Sequence, residues 1–257
     1  MKFKTLVLGT FLLLAMLGAS VLVGSGAARA QDNGFYVAGD LGYHWPDRMD
    51  TNVVGSGPKW TWNLTDNGAG FLRLGYGFDS SWRVELEGGD RPANLSAIRA
   101  DVYFPLALVP AGGIPLSGVG GHIDATTLMA NVIYDVPLGL PVQPFIGGGV
   151  GLVHTAVTAQ GVFPFCAVCA RPVICFPVCS VNLKVNDSSD KFGWQGIAGV
   201  SLSLAPQWTL DATYRYVRAN GVAWSTSGGG GFFLPGQFRG DYSDSSVTLG
   251  IRHSFGG

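Results

Sequence analysis

Apolar and polar residues alternate over long stretches of the chain, most clearly in its last strand-like segment, SSVTLGIRHSF (residues 245–255). Val247, Leu249, Ile251 and Phe255 fall on one side together with His253, and polar residues or glycine fall on the other. Successive side chains of a strand point to opposite faces, so this pattern predicts a half-buried strand. The same period marks eight segments, at about 35–45, 67–79, 82–90, 124–136, 144–154, 190–204, 208–218 and 245–255.

The predicted strands and their connections have the proportions of a membrane barrel. Most segments have nine to thirteen residues, long for globular proteins but suited to tilted transmembrane strands. Short turns at 79–81, 137–143 and 205–207 alternate with long connections at 46–66, 91–123, 155–189 and 219–244. This asymmetry is typical of bacterial outer-membrane barrels. We therefore predict an all-β, eight-stranded antiparallel transmembrane up-and-down barrel with short periplasmic turns and four long extracellular loops.

The two faces of these strands differ in charge. One face has no Lys, Arg, Asp or Glu, and the other carries nine charges at predicted inner positions: Asp40, Arg73, Arg83, Glu85, Glu87, Asp135, Asp211, Arg215 and Arg252. A soluble lipocalin-like barrel would also alternate, with its apolar face around a ligand cavity. Glycines on the charged face favour a crowded interior instead. Aromatic residues at the strand ends favour two membrane-interface girdles: Phe78, Trp82, Tyr134, Trp208 and Phe255 at the short-turn end, and Tyr43, Phe192, Trp194 and Tyr216 toward the other.

Composition and the N-terminal segment agree with an exported membrane protein. Charged residues make up only 13% of the chain, against roughly 25% in soluble domains. The net charge is −1 and no basic patch indicates nucleic-acid binding. Lys2 and Lys4 precede an apolar run, and Ala28-Arg29-Ala30 supplies a small-x-small cleavage pattern. We expect residues 1–30 to be a cleaved signal peptide and residues 31–257 to form one barrel domain.

The inner charges allow more than one interpretation. Eight strands enclose a space that side chains can fill, so we expect the arginines and carboxylates to pair and plug the lumen. A narrow ion or water path remains a second interpretation, and a proton relay or catalytic carboxylate pair a third. His253-Ser254 forms no nucleophile–base pair, because neighbouring strand residues point to opposite faces. We find no enzyme signature and predict no catalytic residue, metal site or cofactor.

All four cysteines fall in the third long connection, at Cys166, Cys169, Cys175 and Cys179. An even number of cysteines in an exported chain usually means disulfides, which makes these residues disulfide candidates. The sequence does not choose among the three possible pairings. A four-cysteine zinc site, whose five-residue spacer is short for a zinc ribbon, is one weaker alternative, and free or redox-active thiols are the other.

Four segments carry a resemblance to a known family: GFYVAGDLGYHW (34–45), GFLRLGYGFDSSWRVELEG (70–88), LMANVIYDVPLGLPVQPFIGGGVGL (128–152) and VTLGIRHSF (247–255). The sequence resembles small outer-membrane barrels of the OmpA transmembrane type, in the porin family of outer-membrane β-barrels, without their C-terminal peptidoglycan-binding domain. The resemblance implies a bacterial outer-membrane, multi-pass location. It also implies contact with membrane lipid and lipopolysaccharide, insertion by the barrel-assembly machinery and a monomeric state.

The resemblance and the filled lumen together predict a structural role in envelope integrity. A narrow porin-like channel for small solutes or ions is the main alternative. Adhesion or ligand binding through the long loops is a second alternative.

Overall fold

The structure is a computed structural model, which describes residues 34–53, 59–78, 81–101, 113–139, 141–163, 167–170, 174–177, 181–226 and 236–255. Its strands are β1 Gly34–Pro46, β2 Met49–Val53, β3 Lys59–Leu64, β4 Asn67–Gly77, β5 Trp82–Asp101, β6 Ile114–Pro115, β7 Ser117–Asp135, β8 Val142–Phe163, β9 Ala167–Ala170, β10 Ile174–Pro177, β11 Val181–Ala205, β12 Trp208–Ser225 and β13 Gln237–Ser254. Within the described ranges, no helix is long and apolar enough to cross a membrane.

Eight of these strands close into a ring in the order β1-β4-β5-β7-β8-β11-β12-β13, and every pair in it is antiparallel. The last strand returns to the first, because Tyr36 pairs with Ser254 and Pro46 with Asp244. The ring confirms the predicted eight-stranded antiparallel barrel.

The hairpin of β2 and β3 builds a second closed circuit above the first. β2 pairs with β13 and β3 pairs with β5, so this hairpin replaces β1 and β4 at the outer end of the wall. The other six strands are long enough to serve both circuits. The barrel wall therefore continues well past the segments that the sequence pattern predicted as strands.

The polarity of the wall reverses along its length, and β11 shows where. Its outward side chains are polar and exposed from Asn182 to Asp190, whereas Phe192 and Trp194 on the same face are apolar and exposed. Inward side chains change in the opposite sense, from Leu183 and Val185 to Gln195 and Ser201, with Ile197 as an apolar exception between these two. We call the part with apolar outward residues the membrane half and the part with polar outward residues the outer half.

This reversal explains why the sequence pattern placed loops at 91–123, 155–189 and 219–244. Strand alternation continues through most of these segments, but the apolar residues lie inside rather than outside. The outward apolar pattern therefore ends at the point of reversal, although the strand continues beyond it. The connection at 46–66 was also longer in the prediction than in the structure, since β2 and β3 occupy much of it.

Candidate functional site

The interior of the membrane half contains all nine charged residues that the sequence placed there. Every one of them is buried, and the most exposed, Asp135, has a relative accessibility of 9%. We refer to them as the charged network: Asp40, Arg73, Arg83, Glu85, Glu87, Asp135, Asp211, Arg215 and Arg252. They come from six different strands, so the network joins opposite walls of the barrel.

Arg73 on β4 connects three carboxylates. Its Nη1 donates to Glu85 Oε1 at 3.0 Å, and its Nη2 donates to Asp40 Oδ1 at 2.7 Å and to Asp211 Oδ2 at 2.9 Å. Arg252 Nη2 lies 3.6 Å from the other oxygen of Asp211. Because β1, β5 and β12 each supply one of these acids, a single guanidinium ties three strands across the lumen.

Arg215 on β12 makes a second crossing. Its Nη2 donates to Asp40 Oδ2 at 2.6 Å, its Nε donates to Glu87 Oε2 at 2.8 Å, and its Nη1 donates to Thr248 Oγ1 at 2.7 Å. Gln195 Nε2 donates to the remaining Glu87 oxygen at 2.9 Å. Every N–H-bearing nitrogen of this guanidinium thus has a hydrogen-bond partner, which a buried charge requires.

Arg83 lies nearer the short-turn end. It donates two hydrogen bonds to the Asp135 carboxylate, from Nε at 2.7 Å and from Nη2 at 2.9 Å. Its Nη1 also donates to Glu85 Oε1 at 3.2 Å, and the Tyr36 hydroxyl donates to the same oxygen at 2.6 Å. Two-pronged arginine–carboxylate contacts fix geometry as well as charge.

Aromatic rings fill the space between the guanidinium groups. Phe71 lies between two of them, with its ring centroid 4.4 Å from Cζ of Arg215 and 4.6 Å from Cζ of Arg91. The ring of Tyr36 lies 5.7 Å from Arg83 Cζ and 5.3 Å from Arg252 Cζ. Cations stacked over ring faces in a desolvated site are attracted by the ring quadrupole. Phe71 is an apolar residue on the charged inner face, where it separates the guanidinium groups of Arg91 and Arg215.

Inward-facing glycines make room for these large side chains. A Cβ on Gly75 would collide with the Tyr36 ring, and a Cβ on Gly250 would collide with the Asp40 carboxylate. The sequence analysis took these glycines as a sign of a crowded interior. The structure shows that the ring and the carboxylate that contact the arginines occupy the space that these glycines leave.

A second polar group, which the sequence analysis missed, lies above the charged network. This junction cluster consists of His44, Arg91, Tyr242 and Asp244, and all four residues are buried. His44 Nδ1 is 2.7 Å from Asp244 Oδ2, while Arg91 Nε lies 3.7 Å from Asp244 Oδ1. Tyr242 donates its hydroxyl proton to the same carboxylate at 3.3 Å. The alternation of the strands could have found the cluster. His44 and Arg91 lie four residues beyond the inward-facing Asp40 and Glu87, and residues an even number apart on a strand share a face.

The junction cluster does not have the geometry of a catalytic dyad. His44 Nε2 lies 2.8 Å from the Pro92 carbonyl oxygen, so both ring nitrogens face acceptors. The two acceptors occupy the in-plane directions of both nitrogens, so neither nitrogen is open to a substrate for general-base work. The histidine instead joins β1 to β5 and β13.

Above the junction cluster the interior becomes apolar. We call these buried side chains, which include Tyr242 of the junction cluster, the outer core: Met49, Trp60, Trp62, Leu95, Ile98, Ala100, Leu116, Ile123, Ala125, Met129, Val153, Val157, Ala159, Leu183, Val185, Val217, Ala219, Val222, Trp224, Phe238 and Tyr242. Phe238 meets Trp60 and Trp62 edge to face, with ring centroids 5.3 and 5.2 Å away. The indole of Trp62 donates to Thr51 Oγ1 at 2.9 Å, which satisfies its one polar atom.

The predicted interfacial aromatics all lie on the outer surface of the wall. At the short-turn end, Trp82 packs against Tyr134 at 4.9 Å between ring centroids, and Phe78 packs against Tyr76 at 5.2 Å. Trp208 and Phe255 flank His253 there, at 4.5 and 4.9 Å. Toward the other end Trp194 packs against Tyr216 at 5.6 Å, and Phe192 and Tyr43 are exposed. The sequence analysis overlooked Phe35, which meets Tyr76 at 4.9 Å.

Two predictions fall outside what the structure describes. Residues 1–30 precede the first described residue, so the signal peptide stays a prediction. Cys166 and Cys179 also lie outside the described residues, and Cys169 and Cys175 are described only as opposite backbone positions of β9 and β10. Among the side chains that are described, no group of three or more His, Cys, Asp or Glu could hold a metal ion.

Comparison with known proteins shows the family. A family model for the outer membrane protein beta-barrel domain matches residues 10–255. An uncharacterised protein of Brucella abortus is 26% identical over 212 residues, which cover 73% of this chain and 69% of that protein.

Solved structures show the same fold. The outer membrane protein OprG from Pseudomonas aeruginosa matches with a TM-score of 0.51 and 15% identity, over 88% of this chain and 99% of that one. The outer membrane protease OmpT from Escherichia coli matches with a TM-score of 0.51 and 8% identity, over 87% and 97%. Both identities are low, so these two likenesses concern the fold alone. The chain belongs to the outer membrane protein β-barrel family and is a multi-pass protein of the bacterial outer membrane.

Proposed function

We propose that this protein is a sealed structural barrel that contributes to the integrity of the outer membrane and carries a rigid wall beyond the membrane surface. The observation behind the proposal is that the inward-facing side chains are buried in both the membrane half and the outer half. In the membrane half, Glu87, Asp211 and Arg215 are at most 1% exposed, and in the outer half Ile98, Val153 and Val217 are fully buried.

The energetics of the charged network support a closed lumen. Removal of one partner from a buried ion pair costs about 3–5 kcal/mol, because the other charge is left uncompensated. A water path would have to separate Arg73 or Arg215 from carboxylates on opposite walls. Each of these arginines has at least two carboxylate partners, so opening the lumen would break several contacts together.

The outer surface supports the proposed partners. Apolar side chains cover the membrane half on every strand of the ring, which suits contact with membrane lipid and with the acyl chains of lipopolysaccharide. We propose insertion by the barrel-assembly machinery and a monomeric state, on the strength of the family resemblance. A narrow porin-like channel is the competing function, and the experiment below separates the two.

A groove on the outer half favours a second candidate function, the binding of a polar ligand at the cell surface. The groove holds about 480 Å³ on the outward face of β2, β3 and β5. Its lining includes the cations Arg48, Lys59 and Arg99 and the acids Asp50 and Asp101. Glycan binding by the purified protein, compared with an Arg48→Ala/Arg99→Ala variant, tests this candidate. Equal binding by the two would rule out the groove.

Planar-bilayer conductance of the refolded protein tests the proposed function. We expect the parent to be silent and an Arg73→Ala/Arg252→Ala variant to show openings, because the variant loses two cations that fill the lumen. Heat-modifiable mobility on gels confirms that the variant has folded. If the variant does not fold, the parent alone decides, because steady conductance by the parent would make this protein a narrow channel.

A further inference from the structure

A groove in the lipid-facing wall has no part in the proposed structural role. This lateral groove holds about 720 Å³ across β1, β4, β5 and β7. Leu41 and Leu72 form its sides, and they are the two most exposed of the large apolar residues described, at 76% and 74%. Its lining continues the apolar band of the membrane half, so lipid chains reach it directly.

Three outward-facing glycines form the floor of the lateral groove. A Cβ on Gly88 would meet nothing within 4 Å, a Cβ on Gly39 would come no closer than 3.8 Å to Leu72, and a Cβ on Gly70 would make ordinary contact with Leu41 at 3.4 Å. The interior glycines differ, because a Cβ on Gly75 or Gly250 would collide with a neighbour. Larger side chains would therefore fit on the groove floor. The groove exists because glycines, which have no side chain, occupy these three positions.

Polar groups form the upper rim of the lateral groove. Asp90 faces outward and is exposed, and Thr126 Oγ1 donates to its Oδ1 at 3.3 Å. Asp90 is the first polar residue above Leu86 and Gly88 on the outward face of β5, which puts it at the upper edge of the apolar band. A carboxylate at this level accepts hydrogen bonds from hydroxyl or amide groups.

We propose that the lateral groove holds one acyl chain of an outer-leaflet lipid, with the hydroxyl or amide groups at the head of that chain hydrogen-bonded to Asp90. Because the groove is continuous with the lipid-facing band, an acyl chain of a neighbouring lipid can enter it. Asp90 then favours a lipid whose acyl chain carries hydrogen-bond donors at its head. Lipid A has such chains, with 3-hydroxyl and amide groups, whereas dimyristoylphosphatidylcholine lacks both. The groove is therefore a specific lipid site within an otherwise unspecific band.

Native mass spectrometry of the refolded protein, incubated separately with lipid A and with dimyristoylphosphatidylcholine, tests this proposal. We expect the parent to retain one lipid A molecule, and a Gly39→Leu/Gly88→Leu variant to retain at least about tenfold less because leucine side chains fill the groove. Gly196→Leu is the matched control, because Gly196 also faces outward with nothing within 4 Å but lies on β11. Asp90→Ala should reduce retention of lipid A and leave that of the phosphatidylcholine unchanged.

Several results would overturn the proposal. Equal retention of lipid A by the parent and the groove-filled variant would remove the groove from lipid binding, and so would failure of the parent to retain lipid A. A dimer of the parent that disappears in the groove-filled variant would assign the groove to a second copy of the chain. Heat-modifiable mobility establishes that each variant has folded.

Discussion

The interior of the barrel has two regions that share six of their eight strands but are built from opposite chemistries. In the membrane half, arginines and carboxylates fill the space and pair across it. In the outer half, Trp62, Trp224 and Phe238 are buried within an apolar core. The junction cluster around His44 separates the two.

The difference follows from the solvent outside the wall. Above the membrane the wall faces water, so burial of apolar side chains in the outer core stabilises the fold by the hydrophobic effect. Inside the membrane the apolar side chains already face lipid, and burying more of them inside gains little. The membrane half depends instead on closed backbone ladders and on a polar network that fixes which strands face each other.

The largest expected effect of a single substitution is in the charged network. Arg73→Ala leaves Asp40, Glu85 and Asp211 each without one cationic partner in a buried site. We expect the free energy of unfolding to fall by about 3–5 kcal/mol, as is typical when a buried ion pair loses one partner. Urea unfolding of the protein refolded into vesicles measures the change.

Arg48→Ala is the matched control for Arg73→Ala. Arg48 lies 3.2 Å from Asp50, but the two side chains are 64% and 54% exposed. An exposed pair of this kind contributes about 0–1 kcal/mol. Equal losses from the two substitutions would contradict the view that burial makes the charged network strong.

A smaller and more local effect is expected in the outer core. Trp62→Ala removes a fully buried ring that packs against Phe238 and donates to Thr51. Such truncations cost about 3–5 kcal/mol where the whole domain unfolds together. Here we expect the cost to fall on the outer half, with increased hydrogen exchange in β2 and β3 and unchanged exchange in β1 and β4. Loss of protection throughout the barrel would show that the two halves do not differ as described.

The sequence predicted the membrane half well and the outer half poorly, for a physical reason. Alternation with an outward apolar face identified the eight strands. The same alternation predicted that Asp40 and Arg252 point into the barrel. In the outer half the side chains still alternate, but the apolar ones face inward and the polar ones face outward. Residues such as Val185 and Trp224 therefore look in the sequence like apolar residues of a loop. Which acid pairs with which arginine depends on the register and shear of the ring, and a single sequence does not specify these.

A substitution in the junction cluster should reduce stability by an intermediate amount. His44→Gln retains at most one of the two contacts that His44 makes with Asp244 and Pro92. A buried acceptor left without its donor costs about 1–3 kcal/mol. We expect faster amide exchange near Pro92 and Asp244, where β5 and β13 meet β1.

His154→Gln is the control for the histidine substitution. His154 makes an equally short contact of 2.7 Å with Asp190, but both side chains are exposed, at 45% and 74%. Exchange rates around residue 154 should change little. If this variant altered exchange as much as His44→Gln, burial of the junction cluster would not account for its strength.

The smallest expected effect concerns Asp187 on the outer half of β11. The backbone N–H of Ser225 donates to its carboxylate at 2.7 Å and the N–H of Ser188 donates at 2.8 Å. These contacts, chiefly the one from Ser225, lower the pKa of Asp187 below its usual value. A lowered pKa stabilises the folded state above the carboxyl's usual pKa, and this contribution is lost as the pH falls through the lowered pKa. Acidification should therefore weaken protection of the Ser225 amide in the parent and leave it unchanged in Asp187→Ala.

The reversal of polarity along β11 is tested most directly by NMR of the protein in lipid nanodiscs. Cross-relaxation with lipid acyl chains and relaxation by a water-soluble paramagnetic chelate would be measured for each backbone amide from Asn182 to Leu204. We predict that the chelate reaches Asn182 through Asp190 and that acyl-chain contacts begin at Phe192 and continue along the strand. Acyl-chain contacts at Lys184 or Asn186 would contradict the account, because the outer half would then lie within the membrane.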